Sequence, residues 1–152
     1  MAHRKKRPEP ELPRVRRASH PSSSSLQRLP RTSVLIVEDH RETREMYAEM
    51  FGVHGATTIE AGSVSDALRV LESFTPDVVV TDIGMPGTDG YGLLARMRAH
   101  PAWARIPRVI ASGRSCHAEA ATHDPAAVYF EKPVSLVALV DAVRRARPPR
   151  PS

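Results

Sequence analysis

The sequence predicts an α/β fold: a parallel sheet of five strands with helices on both faces. Two observations predict it. Five short apolar runs rich in β-branched residues alternate with helical patterns along residues 32–147, which is the signature of repeated strand–helix units. The run Val78-Val79-Val80-Thr81-Asp82 is apolar almost to its end instead of alternating, as expected of a strand buried on both faces.

Taken in order, the predicted elements are these. Residues 1–31 combine five prolines with the run Ser22 to Ser25 and many charges. Such a segment buries too little apolar surface to offset its ordering entropy, so a disordered tail is expected. A strand near 33–37 (Val34-Leu35-Ile36-Val37) ends on Glu38-Asp39, and a helix follows near 41–52. A second strand near 56–60 and a helix near 64–74 lead to the third strand, near 77–82. After Asp82, Gly84, Pro86, Gly87 and Gly90 force a turn before a helix near 89–99. The fourth strand, near 107–111, ends on Ser112-Gly113, with a fourth helix near 115–122. The fifth strand, near 127–131, runs into Glu131-Lys132-Pro133, and a fifth helix near 135–147 ends at Arg147-Pro148-Pro149-Arg150. The expected organisation is a tail over 1–31, one domain over 32–147 and a short tail over 148–152, with no second folded domain.

Composition narrows the functional classes. Cys116 is the single cysteine, so no internal disulfide forms, which suits a reducing, cytoplasmic location. No apolar run is long enough to span a bilayer, and no cysteine–histidine cluster has zinc-ligand spacing. The formal charge of +5 invites a nucleic-acid reading, but residues 1–31 hold nine basic residues against Glu9 and Glu11, a net of +7. The remainder carries 13 basic and 15 acidic residues, a net of −2. Basicity therefore belongs to the tail, which also lacks aromatic residues to stack on bases, and nucleic acid is not the expected partner. Of the 13 basic residues of the remainder, only Lys132 is a lysine. Against that arginine bias it marks a position that wants a compact ammonium.

In a parallel sheet all strands end on one side, so Glu38, Asp39, Asp82, Ser112 and Lys132 are expected on one rim, where open α/β sheets bind ligands. Taken singly, Asp82 could equally open a turn or cap a helix. Three gathered carboxylates repel unless cations compensate. Mg²⁺ suits such oxygen ligands and leaves room for phosphate oxygens. Lys132 and Ser112 would supply a second positive charge and a hydroxyl donor to a phosphoryl group arriving at Asp82, making an aspartyl-phosphate.

The pattern Leu35-Ile36-Val37-Glu38-Asp39, then Asp82-Ile83-Gly84-Met85-Pro86-Gly87-Thr88-Asp89-Gly90, then Ile106-Pro107-Arg108-Val109-Ile110-Ala111-Ser112-Gly113 and Tyr129-Phe130-Glu131-Lys132-Pro133 resembles the receiver domain of two-component response regulators. Each piece is weak alone; four in the right order are specific. The resemblance covers residues 32–147 and implies a flavodoxin-like (βα)5 fold. It implies Asp82 as phosphoacceptor, and Mg²⁺ held by Asp39, Asp82 and the Gly84 backbone carbonyl, with Glu38 assisting through water. Ser112 and Lys132 would contact the phosphoryl group, and Tyr129 would be the aromatic switch residue that turns as Ser112 moves. It also implies a cis Lys132-Pro133 bond, a histidine kinase or phosphotransfer partner, and a target bound through the helix 4–strand 5–helix 5 face. The chain would be a signalling phosphoacceptor acting only on its own phosphorylation state, not an enzyme. It could equally serve as a relay shuttle or phosphate sink.

Two departures carry expectations. His123-Asp124-Pro125 stands where the family often has a Gly-Ala-type loop, implying a short or irregular fourth helix and an atypical output face. Gly84 and Arg114 occupy positions that tune phospho-Asp hydrolysis, and Gly84 has no side chain to orient a water, so slow autodephosphorylation is expected. A phosphatase of the haloacid-dehalogenase type is a remote alternative. It would place a second Asp two residues after the nucleophile, where this chain has Gly84.

Overall fold

A computed structural model describes residues 13–17, 28–84, 90–113 and 124–149. The elements are β1 (Arg14–Arg16), β2 (Ser33–Val37), α1 (Arg41–Val53), β3 (Thr57–Ala61), α2 (Val64–Ser73), β4 (Val78–Asp82), α3 (Gly90–Ala99), β5 (Arg108–Ser112), β6 (Val128–Glu131) and α4 (Leu136–Ala146). The five predicted strands form within a residue or so of their expected bounds. The helix expected near 115–122, with Cys116 and Arg114, lies outside the described residues, as do Met85 to Asp89.

The strands lie in the order β1-β3-β2-β4-β5-β6. β2, β3, β4, β5 and β6 run parallel, and β1 pairs antiparallel with β3. Strand order reverses at β2, which is flanked by β3 and β4; the crevice between β2 and β4 is therefore the topological switch point. Glu38 and Asp39 follow β2 and Asp82 ends β4, so the acidic residues straddle it.

Alternation along each strand divides the core into two layers. Val34 and Ile36 of β2, with Val78 and Val80 of β4, pack against Phe51 and Ala48 of α1 and Leu139, Val140 and Val143 of α4. Leu35, Val37 and Val79 face the other way, onto Ala67, Val70 and Leu71 of α2 and Leu93 and Met97 of α3. The β2 and β4 runs are apolar throughout because both faces are covered. Local chemistry sets the helix ends. The Ser63 hydroxyl accepts the Asp66 N–H at the start of α2, and Ser135 does the same for Ala138 in α4. Helix α1 is terminated beyond Val53 by Gly55, whose φ of 93° is the left-handed conformation a glycine adopts without penalty. The Gly55 N–H then reaches the Gly52 carbonyl and the Ala56 N–H the Phe51 carbonyl, closing a Schellman turn.

The expectation that residues 1–31 are wholly disordered is corrected at two places. Residues 14–16 add a sixth strand to the β3 edge, where unpaired backbone groups accept it. Arg16 also donates to Glu60 at 3.0 Å, and that carboxylate is buried. Leu29 is fully buried in the α1–α4 layer, and its N–H bonds the His54 carbonyl at 2.9 Å. Composition averaged over the tail hides one apolar anchor and one charge-paired strand.

These two attachments should differ in weight. Leu29→Ala removes a fully buried side chain and should cost about 3 kcal/mol of unfolding free energy in urea titrations. Arg16→Ala should cost about 1 kcal/mol or less, since Arg16 is partly exposed and Arg44 remains near Glu60. Equal losses would contradict this ranking.

Candidate functional site

The rim of the sheet gathers the residues that the sequence singled out. Glu38 leaves β2 with its N–H on the Ala61 carbonyl at 3.0 Å. Its side chain is buried, with Oε1 accepting the His40 N–H at 3.3 Å. Asp39 follows and is exposed. Asp82, the last residue of β4, is buried. One carboxylate oxygen from each of Glu38, Asp39 and Asp82 lies within 4.8 Å of the others.

Lys132 closes this group from the far side of β5. Its Nζ lies 3.3 Å from Glu38 Oε2 and 3.2 Å from Asp82 Oδ2. The other Asp82 oxygen accepts the Gly84 N–H at 3.0 Å, so both carboxylate oxygens are held. The Lys132 N–H bonds the Ser112 carbonyl at 2.8 Å, which ties the lysine to the end of β5, and Lys132-Pro133 is cis. Ser112 is fully buried, and its Oγ has no hydrogen-bond partner among the described residues. A buried hydroxyl without a partner is costly and asks for an explanation. Gly84 is exposed, and a Cβ there would meet Asp82 Oδ1 at 3.7 Å, an ordinary contact.

Glu38 and Asp82 share one ammonium, with the Asp39 carboxylate beside them. Burial, and then the charge of Asp82, raises the Glu38 carboxyl above its ordinary range, with Lys132 only partly opposing. Lys132 is raised as well: burial lowers it, but Glu38 and Asp82 together outweigh that. The lysine is thus fully charged at neutral pH and still leaves an excess of negative charge. An all-oxygen donor set with surplus negative charge is the chemistry that a small hard divalent cation satisfies.

Residues 34–144 match the family model described as "Response regulator receiver domain". The chain belongs to the response regulator receiver family. It is 30% identical over 115 residues to sporulation initiation phosphotransferase F of Bacillus subtilis (strain 168), covering 76% of this chain and 93% of that protein. It is 43% identical over 65 residues to the Regulator of RpoS of Escherichia coli (strain K12), spanning 43% of this chain but 19% of that protein. Among solved structures, a putative response regulator from Chloroflexus aurantiacus J-10-fl superposes with a TM-score of 0.71 at 28% identity, covering 76% of this chain and 97% of that one. Receiver domains are phosphoacceptors of two-component signalling and bind Mg²⁺ at an acidic pocket. The flavodoxin-like fold expected of the family is present, with β1 as an addition. Among the described residues no helix is long and apolar enough to cross a membrane.

Within this receiver, Tyr129 lies on β6 beside Ile110 of β5 and packs in a small cluster with Ile83, Leu94 and Tyr91. Its hydroxyl donates to the Asp124 carbonyl. Sequence reasoning missed two supporting arginines. Arg44 Nη1 donates to the Glu38 carbonyl at 2.9 Å, bracing the turn that carries the acidic pair. Arg108 is buried and paired with the buried Asp124. An arginine inside the apolar run Arg108-Val109-Ile110-Ala111 was a visible anomaly, though its partner was not.

The raised Glu38 carboxyl has a pH consequence. A carboxyl raised above its ordinary value of 4.5 binds more protons folded than unfolded, so it removes stability as pH rises through that region. In Mg²⁺-free buffer, wild type should therefore lose stability relative to Glu38→Gln as pH rises from the ordinary carboxyl value of 4.5, followed by thermal unfolding at each pH. A difference that stays flat over that rise would contradict the assignment.

Proposed function

We propose that this receiver takes a phosphoryl group from a phosphohistidine onto Asp82. One observation carries the reading: a buried carboxylate fixed at both oxygens stands within 3.2 Å of Lys132, inside a cluster with Glu38 and Asp39. An Asp82 oxygen attacks phosphorus as the phosphorus–nitrogen bond breaks, and the departing imidazole nitrogen keeps that electron pair. Lys132 faces the negative charge that transfer brings in, and its positioned ammonium is the donor a transferring phosphoryl group needs. The orphan hydroxyl of Ser112 gains its acceptor when a phosphoryl oxygen arrives. Asp39, Asp82 and the Gly84 carbonyl would hold Mg²⁺, with Glu38 acting through water. When bound, the ion would neutralise charge on the phosphoryl oxygens.

Movement of Ser112 towards the phosphoryl group opens space for Tyr129 to turn, shifting a two-state equilibrium. The readout surface includes β6 and α4, which belong to the helix 4–strand 5–helix 5 face of the family. Its partners would be a histidine kinase or phosphotransfer protein upstream and a protein target downstream. A relay role is the second reading, favoured by the match to 93% of a protein named a phosphotransferase.

Incubation with a small phosphodonor and Mg²⁺ should add one phosphoryl group by intact mass. Asp82→Asn should add none, and chelation of the metal should slow the reaction at least tenfold (about 1.4 kcal/mol in the barrier). Turnover of a generic phosphomonoester by wild type would instead support a phosphatase. The lifetime of the product is a separate expectation. Because Gly84 carries no side chain, the phospho-Asp should persist well beyond seconds. Gly84→Asn, whose Cβ would make only an ordinary 3.7 Å contact with Asp82 Oδ1, should shorten it by about a hundredfold, the lower end of what one positioned group contributes. A wild-type half-life of seconds would contradict the proposed role of Gly84.

A further inference from the structure

Strand β5 bears two anomalies on one face. Arg108, Ile110 and Ser112 alternate along it and so point the same way. Ser112, at the site end, has a buried hydroxyl without a partner among the described residues. Arg108, at the opposite end, is a buried cation, 7% exposed. Between them lies Ile110, against which Tyr129 packs.

All three nitrogens of the Arg108 guanidinium donate hydrogen bonds. Nε and Nη2 donate to the two oxygens of Asp124, the second at 3.3 Å. Nη1 donates to the carbonyls of Ile106 at 2.9 Å and Ala104 at 3.2 Å. Asp124 is fully buried. Its carbonyl accepts both the Ala127 N–H, at 3.2 Å, and the Tyr129 hydroxyl. The side chain of Asp124 is thus anchored to β5 while its backbone oxygen holds the aromatic ring of β6.

We propose that Arg108 and Asp124 are positioning residues that latch Tyr129 in its resting arrangement. The latch rests on the reading of Tyr129 as the switch residue. Tyr129 has a fixed acceptor at the Arg108 end of β5. Turning towards the Ser112 end requires breaking that hydrogen bond, so the ion pair sets how far the resting state is favoured before phosphorylation. Partners that hold one of two conformers bias the equilibrium by their differential interaction alone. Losing one neutral hydrogen bond should shift the ratio by about fivefold.

Removing one member alone would strand a buried charge and threaten folding. The test therefore uses Arg108→Leu/Asp124→Leu, which replaces the pair by apolar side chains, and Tyr129→Phe, which removes the hydroxyl and leaves the pair intact. The full chain is labelled with 3-fluorotyrosine, and Tyr129 is assigned by its absence in Tyr129→Phe. The wild-type fluorine resonance should move on adding beryllofluoride and Mg²⁺. In the double variant it should already lie part of the way to that position without them, and Tyr129→Phe should accept phosphate from a small donor about fivefold faster than wild type. A double-variant resonance at the wild-type resting position, or an unchanged rate in Tyr129→Phe, overturns the latch while leaving phosphorylation of Asp82 standing. A Tyr129 resonance that beryllofluoride does not move in wild type overturns the switch reading and the latch with it.

Discussion

Everything at the rim depends on one ammonium placed among too many carboxylates. Lys132 lies within 3.3 Å of both Glu38 and Asp82, and Asp39 adds a third negative group within reach of a common ion. Bringing these groups together against their repulsion requires a scaffold that does not yield. The parallel sheet provides it, because its central strands β4 and β5 are buried on both faces and the five parallel strands deliver their last residues to the same edge. The Lys132 backbone is itself fixed by the Ser112 carbonyl, so the side chain starts from a set place beside the charge it balances. The surplus negative charge is the part of the design that faces outward: it makes the pocket receptive to a divalent cation and then to a phosphoryl group.

Most of the fold was legible because both-face burial writes itself into the chain. Val78 to Val80 have no polar alternation to misread, and the strand ends are punctuated by Glu38-Asp39, Asp82 and Ser112-Gly113. What escaped was attachment by few residues. Leu29 is a single apolar side chain in a polar, proline-rich stretch, yet it is fully buried beside Phe51 and Val143. Strand β1 has only three residues, and two of them are arginines. Its place comes from the open edge of β3 and from Glu60, neither of which a local pattern near residue 14 reports.

The site divides along the same line. Asp82, Asp39, Glu38 and Lys132 each end or follow a strand, so sequence position alone brings them to one rim. Arg44 and the Arg108–Asp124 pair are different, because their meaning lies in a partner distant in sequence. Asp124 looked like a loop residue breaking a familiar pattern, and Arg108 drew no reading of its own. Only together, both buried and hydrogen-bonded to one another, do they make sense.

That pairing bears on why an arginine should sit in the core at all. A buried ion pair is weak evidence for stability, since apolar residues of similar volume often serve as well or better. Its distinctive contribution is directional: a bidentate carboxylate has one orientation, and so does the backbone carbonyl that follows from it. At Asp124 that carbonyl is the acceptor for Tyr129. Four residues further along β5, Ser112 has the opposite condition, a buried donor with no acceptor among the described residues. One strand therefore holds a satisfied polar group at one end and, among the described residues, an unsatisfied one at the other, with the ring of Tyr129 packed against Ile110 between them. On the proposed reading, a phosphoryl group at Asp82 would satisfy the second. The gain at Ser112 would then compete directly with the proposed restraint at Asp124, and the difference between these two local terms is what a phosphorylation signal would have to work with.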